Sequence, residues 1–181
     1  MIDHGKPLGV RPLTRADLPL LAGWLGQPHV HRWWQHDPDD VEADFGTTLD
    51  GDRPTELYVI ELDHRPIGMI QRYRIADYPE WRAALTMIDV PDEALGIDYL
   101  IGEAGFTNRG VGTALIQMFV AKAWAEMPDA TAIIVDVDPE NRPSWRVLER
   151  AGFVQVWSGV MHQPDEPEPG PVVIYRLDRR R

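Results

Sequence analysis

Between residues 95 and 138 the hydrophobic pattern changes period twice, and that change limits the fold more than any other feature of the chain. Residues 95–101, Leu-Gly-Ile-Asp-Tyr-Leu-Ile, read as a strand. Asn108-Arg109-Gly110-Val111-Gly112-Thr113 then puts two glycines at the head of a helical pattern, in which Val111, Leu115, Met118, Phe119 and Ala123 share one face up to Pro128. Residues 132–138 follow as a β-branched run, Ala-Ile-Ile-Val-Asp-Val-Asp, suited to a strand buried on both faces. A strand, a glycine turn, a long helix and a second strand need a sheet for the helix to cover, so the chain is mixed α/β.

The flanking sequence supplies the rest of that sheet. Residues 8–13 read as a short strand, and Thr14 caps a helix whose apolar positions are Leu18, Leu20, Leu21, Trp24 and Leu25. Gly26-Gln27-Pro28 stops it; a short segment covers residues 29–34, and a helix after Pro38 runs through Val41, Phe45 and Leu49. Residues 56–62 and 65–73 flank Asp63-His64 as a hairpin with a tight turn. Residues 76–94 carry proline, charge and Trp81 without clear periodicity and read as a long loop. Residues 143–150 form a short helix stopped at Gly152, after which residues 153–157 and 172–177 pair antiparallel across an acidic loop. With 181 residues, 44% of them hydrophobic, one domain over residues 1–181 is expected.

Composition removes several kinds of chemistry. The chain has no cysteine, so disulfides, thiolate metal sites and a catalytic thiol are excluded. Of the six histidines, His29 and His31 stand two apart and no His-Glu-x-x-His occurs, so no metal is expected. Met1 to Lys6 has neither a basic leader nor an apolar core, and no apolar run reaches the length of a membrane span, which points to the cytoplasm. Eighteen basic against 29 acidic residues give a net charge of −11, which argues against nucleic acid and anionic membranes and for a cationic small partner or plain solubility. The acids group at 37–44, 89–98, 136–140 and 165–168, mostly in segments that read as loops or strand ends; the first group also suits a solvated helix face.

The glycine turn carries the first chemical signal. Two glycines let backbone approach a ligand, and the following helix offers unpaired N–H groups and the positive end of its dipole, together a seat for a pyrophosphate. The turn lacks the Gly-Lys-Ser/Thr of a nucleotide P-loop and the full dinucleotide fingerprint, and by itself is also compatible with an ordinary turn. Strand, glycine turn, long helix, buried strand, Asn141, short helix and Ala151-Gly152-Phe153 in that order resemble the acetyl-CoA core of the GNAT superfamily over residues 95–157. That resemblance implies a central, mostly antiparallel twisted sheet of about seven strands flanked by about four helices, splayed where acetyl-CoA binds. It also implies that the backbone of Arg109, Gly110, Val111, Gly112 and Thr113 holds the CoA pyrophosphate, that Tyr99, Leu100 and Ile101 pair with the pantetheine arm, and that Asn141 belongs to the cofactor side. Where the family usually has Arg or Gln three residues before its first glycine, this chain has Thr107.

A wider pattern resembles the aminoglycoside 6′-N-acetyltransferases over residues 8–177: His31-Arg32-Trp33-Trp34, the hairpin with Pro66-Ile67-Gly68 and Gln71, Trp81, Gly96-Ile97-Asp98, and Asp138-Pro139 with Asn141. Siderophore lysine N-acyltransferases share much of it but usually carry histidine at the position of Asp98. Acetyl transfer to an amine needs a proton acceptor and an oxyanion stabiliser. Asp98 is the candidate to hold the amine and take its proton, directly or through water, with a backbone N–H near Tyr99 or Leu100 facing the carbonyl oxygen; an inert strand aspartate is the other reading. Trp34, Gln71, Tyr73 and Trp81 suit the faces and polar groups of an aminoglycoside, and Asp136, Asp138 and Glu168 suit its charge, although tryptophans also pack cores and acids also cap strand ends. Many family members carry a tyrosine on the last helix to protonate the leaving thiolate; Leu148 stands there, so Tyr99, another group or water takes that part.

Three functions are therefore compatible with the chain. The first is transfer of acetyl from acetyl-CoA to an aminoglycoside, conferring resistance. The second is acylation of a siderophore lysine or another small amine. The third is a non-catalytic module that binds an aminoglycoside or acyl-CoA. Either a monomer or a homodimer fits.

Overall fold

The computed structural model describes residues 7–34, 36–107, 109–164 and 168–180; the expectations placed on Met1 to Lys6, Asn108, Asp165 and Glu166 lie outside them. Asp63 and His64 both take left-handed backbone angles, φ 57° and 60°, and join β2 (Thr55–Leu62) to β3 (Arg65–Arg74). Two successive positive φ values match the twist of an antiparallel hairpin, and aspartate tolerates that conformation better than most residues. Leu57 to Ile60 and Ile67 to Ile70 are continuously buried, the pattern of strands covered on both faces.

The other strands are β1 (Leu8–Pro12), β4 (Leu95–Ile101), β5 (Ala132–Val137), β6 (Val154–Met161) and β7 (Gly170–Asp178), and the sheet order is β1-β2-β3-β4-β5-β7-β6. β1 runs antiparallel to β2, and β7 runs antiparallel to both β5 and β6. β4 and β5 pair in parallel through Leu95↔Ile133 and Gly96↔Ile134, the first two residues of β4. A mixed seven-stranded sheet is what the resemblance implies.

The helices are α1 (Leu18–Leu25), α2 (Pro28–His31), α3 (Val41–Leu49), α4 (Pro79–Ala84), α5 (Val111–Glu126) and α6 (Arg142–Ala151). The two beyond the expected four are α2 and α4. Each is under two turns long and begins on proline, too short for a 3.6-residue period to show in the sequence. The expected loop at 76–94 is thus partly helical, because Trp81, Ala84 and Leu85 pack against a hydrophobic cluster that periodicity could not reveal.

Two compact units divide the chain. The first takes residues 1–72 and Asp98–Leu115, the second Tyr73–Ile97 and Ile116–Arg181. In the first, Leu18, Leu21, Trp24 and Leu25 of α1 pack with Val30, Phe45, Leu57, Val59, Met69 and Leu100. In the second, Ile75, Leu85, Ala94, Ala132, Ile134, Met161, Val172 and Ile174 form the cluster. Full burial of one such aliphatic side chain contributes about 1.5–3 kcal/mol.

In the first unit Arg11 donates through Nη1 and Nη2 to both carboxylate oxygens of Asp17, at 2.8 and 2.7 Å. Asp17 also accepts from the backbone N–H and hydroxyl of Thr14, at 2.9 and 2.8 Å. Arg11 foremost, with Thr14 adding to it, holds the Asp17 carboxyl well below the usual carboxylate range. Among the described residues no helix is long and apolar enough to cross a membrane.

Candidate functional site

The first unit holds most of the residues expected around a donor. Asp98 sits half-buried in the middle of β4, and Gln71 of β3 donates its side-chain N–H to Asp98 Oδ2 at 2.8 Å. A donor from the neighbouring strand fixes the plane of the carboxylate before any ligand arrives. Gln71, expected among the substrate contacts, is thus also a direct partner of the proposed proton acceptor.

The last residues of β4 are tightly placed. The Ile67 carbonyl accepts from the N–H groups of both Gly102 and Glu103, at 2.9 and 3.1 Å. A Cβ on Gly68 would lie 2.1 Å from the carbonyl oxygen of Leu100, and one on Gly102 would lie 2.0 Å from Cγ of Trp24. Both glycines are there because another group occupies the space. From the α2 side, Nε2 of His29 lies 2.9 Å from the Ile101 carbonyl oxygen. No reading of the sequence singled out that contact, since it joins residues 72 positions apart and has no local pattern.

After a 3₁₀ turn at Ala104–Phe106, Gly110 takes φ 85°, which disfavours a side chain, and its carbonyl accepts from Ala114 N–H at 3.2 Å. Gly110 therefore opens α5. The N–H groups of Val111, Gly112 and Thr113 fall in the first turn, where helix geometry provides no partner four residues back. Arg109 and Gly110 are exposed, Val111 is buried, and Gly112 and Thr113 are half-buried. Trp34 packs partly against the first unit's hydrophobic cluster, with its ring 5.9 Å from that of His36.

The second unit holds the remaining candidates. Tyr73 stacks edge-on against Tyr78 at 5.0 Å and covers Gly96, where a Cβ would lie 2.4 Å from its Cζ. Tyr73 and Trp81 both pack partly against the second cluster. Asp136 is half-buried in β5 opposite Ile174, and Asp138 is exposed just past the strand. Oδ1 of Asp138 accepts from Glu140 N–H at 2.7 Å, and its carbonyl accepts from Asn141 N–H at 2.9 Å. Asn141 caps α6 by accepting from Ser144 N–H at 3.3 Å. Glu168 is exposed, and Leu148 is fully buried. Among the described residues no group of three His, Asp or Glu side chains is placed to hold a metal ion.

A glycine-opened helix after β4, in this order of strands, is the arrangement expected of the GNAT fold. Residues 14–159 match the acetyltransferase (GNAT) domain family, and the chain belongs to it. It is 29% identical over 178 residues to the aminoglycoside N(6′)-acetyltransferase type 1 of Klebsiella pneumoniae, covering 95% of this chain and 83% of that protein. It is 27% identical over 157 residues to the lysine N-acyltransferase MbtK of Mycobacterium tuberculosis, covering 81% of this chain and 68% of that protein. The crystal structure of the aminoglycoside acetyltransferase AAC(6′)-Ib with coenzyme A and kanamycin superposes with a TM-score of 0.81 at 27% identity, covering 96% of this chain and 95% of that one.

Proposed function

We propose that this protein transfers the acetyl group of acetyl-CoA to a primary amine of an aminoglycoside, the 6′-amine, and so inactivates the antibiotic. The observation that carries the reading is the Gln71–Asp98 pair, a carboxylate oriented by a neighbouring strand in the strand that leads into the Gly110 turn. The match over most of both chains to an aminoglycoside acetyltransferase holding coenzyme A and kanamycin supports the same donor and acceptor.

In this reading the N–H groups of Val111, Gly112 and Thr113, with the backbone of Arg109 and Gly110, receive the pyrophosphate. The β4 edge that carries Tyr99 and Ile101 meets the amide-bearing arm, Leu100 lying between them with its backbone turned to β3, and Asn141 serves the cofactor side as the resemblance implies. Asp98 holds the substrate ammonium and takes its proton, directly or through water. The amine lone pair then attacks the thioester carbonyl, the C–N bond forms, the C–S bond breaks and CoA leaves as the thiolate, while the second proton shed by the new amide nitrogen balances the one the thiolate takes up.

Within an extended strand the N–H and C=O of one residue point to the same edge, and those of the next residue to the other. Because the Gly102 N–H bonds to the Ile67 carbonyl of β3 and the Ala94 carbonyl accepts from Ile75 N–H, alternation points the N–H groups of Tyr99 and Ile101 away from β3. Tyr99 N–H is therefore favoured over Leu100 N–H as the oxyanion donor. Leu148 carries no proton to give, which leaves water or the Tyr99 hydroxyl to protonate the thiolate. Trp34, Gln71, Tyr73, Trp81, Asp136, Asp138 and Glu168 are assigned to the acceptor as separate proposals. The net charge of −11 favours a polycation, with an attraction that weakens as salt rises.

The test is CoA-thiol release from acetyl-CoA with kanamycin, tobramycin, a simple alkylamine and an N-hydroxylysine compound. Release with the aminoglycosides alone is the expected result. Release only with the hydroxylysine compound, enhanced by a longer acyl-CoA, would instead support the activity for which MbtK is named. Binding of both ligands without release would leave a non-catalytic module.

A further inference from the structure

The carbonyl of Ile101 is the last acceptor of β4, and the side chain that meets it belongs to α2. A carbonyl oxygen only accepts, so the 2.9 Å contact requires the proton of His29 to sit on Nε2; in a neutral ring Nδ1 is then the acceptor. His29 is half-buried, and the next residue, Val30, lies in the same hydrophobic cluster as Leu100 of β4 and Trp24 of α1. Packing of Val30 anchors the short helix, and that anchorage aims the neighbouring imidazole at the strand end.

The contact completes a clamp. From the β3 edge, the Ile67 carbonyl takes the N–H groups of Gly102 and Glu103, while Trp24 fills the space beside Gly102. The Gly102 N–H bonds to β3 and the Ala94 carbonyl to Ile75 just past it, so by alternation the Ile101 carbonyl and the N–H and C=O of Tyr99 point to the opposite edge. His29 thus holds the terminal acceptor on the edge that Tyr99 shares.

We infer that His29 is a positioning residue for the acyl donor: its bond to the Ile101 carbonyl fixes the end of β4, the strand against which the amide-bearing arm of acetyl-CoA is proposed to lie. The inference rests on the donor reading proposed above. An acyl-CoA arm carries two secondary amides, each with one N–H and one C=O, and binds an extended backbone edge as an added strand does. Such pairing needs the edge held at fixed spacing, and a strand end released from its clamp must be ordered again each time the donor binds. His29 touches neither donor nor acceptor in this scheme, so its removal acts on donor affinity and not on the chemical step.

The experiment compares wild type with His29→Ala, His29→Met and His29→Gln. Acetyl-CoA binding is measured by calorimetry without acceptor, and thiol release gives KM and kcat. His29→Ala is expected to raise Kd and KM for acetyl-CoA about three- to tenfold while kcat stays within about twofold. His29→Gln, whose side-chain N–H reaches to a similar distance, should recover most of that loss. His29→Met fills the space without a donor and should match His29→Ala, so it serves if the smaller variant fails to fold. Unchanged donor affinity in His29→Met, a loss confined to kcat, or no recovery in His29→Gln would each overturn the inference while wild type binds acetyl-CoA. Wild type that binds no acetyl-CoA would overturn the donor reading and the inference together.

Discussion

Asp98 lies half-buried inside β4 with Oδ2 2.8 Å from the side-chain nitrogen of Gln71, whereas Asp138 lies exposed just past β5 with Oδ1 2.7 Å from the backbone N–H of Glu140. The two aspartates look alike in sequence, each following a β-branched or aliphatic residue in or beside a strand. Their partners differ in kind. Glu140 is two residues away, and an aspartate that accepts from the backbone two residues on is forming a turn that short sequences form by themselves. Gln71 is 27 residues away, so its bond exists only once β3 and β4 are side by side. A carboxylate held by a neighbouring strand has its direction fixed from outside its own segment, whereas one closing a turn has it fixed from within.

Substitutions can break or sharpen that contrast. Asp98→Asn keeps the size and should lower kcat for acetyl transfer by about two to four orders of magnitude, with a smaller change in KM, as expected on removing a general base. Equal activity in the variant would put Asp98 on the same footing as Asp138. Gly102→Ala drives a Cβ into the Trp24 ring at the end of β4 and should destabilise the protein by about 1–3 kcal/mol in chemical denaturation, with a raised KM for acetyl-CoA in the folded fraction. Full stability there would mean that the strand end is not tightly placed.

Asp138→Asn retains an oxygen that accepts from Glu140 N–H, so unfolding should be unchanged. Its expected signature is a rise of less than about tenfold in KM for kanamycin, from one weakened charge contact, at constant kcat. A kcat loss as deep as that of Asp98→Asn would erase the contrast. Asp17 combines both kinds of partner, Thr14 nearby and Arg11 across a turn, and its carboxyl is held low in the folded state. A lowered folded pKa contributes stability above the unfolded value of about 3.9 and loses it as pH falls from there toward the folded value. Asp17→Asn should therefore unfold at lower temperature than wild type near neutral pH, the gap narrowing as the pH drops below roughly 4. A gap that stays constant through the acid range would show that Arg11 does not hold the charge.

The regions that were legible in the sequence share a physical reason. The hairpin at Asp63-His64, the β-branched run of β5 and the long α5 each declare themselves within a few residues, through turn chemistry or a sustained period. The short helices α2 and α4 did not, because four and six residues give no period to read, and Trp81 looks like a loop aromatic until Leu85 and Ile75 are beside it. Asp98 was legible as a candidate through its strand and the turn that follows. Its hold by Gln71 was not, and neither was the reach of His29 to Ile101.

By itself the sequence determined the mixed α/β class, the glycine-opened helix and the residue types from which an acyl-transfer site can be made, because these follow from local geometry and short-range spacing. Only the tertiary structure decided which aspartate is oriented by a neighbouring strand, which is engaged by its own turn, and what clamps the end of β4. Those outcomes depend on side chains tens of residues apart meeting at hydrogen-bond distance, and no local pattern encodes that.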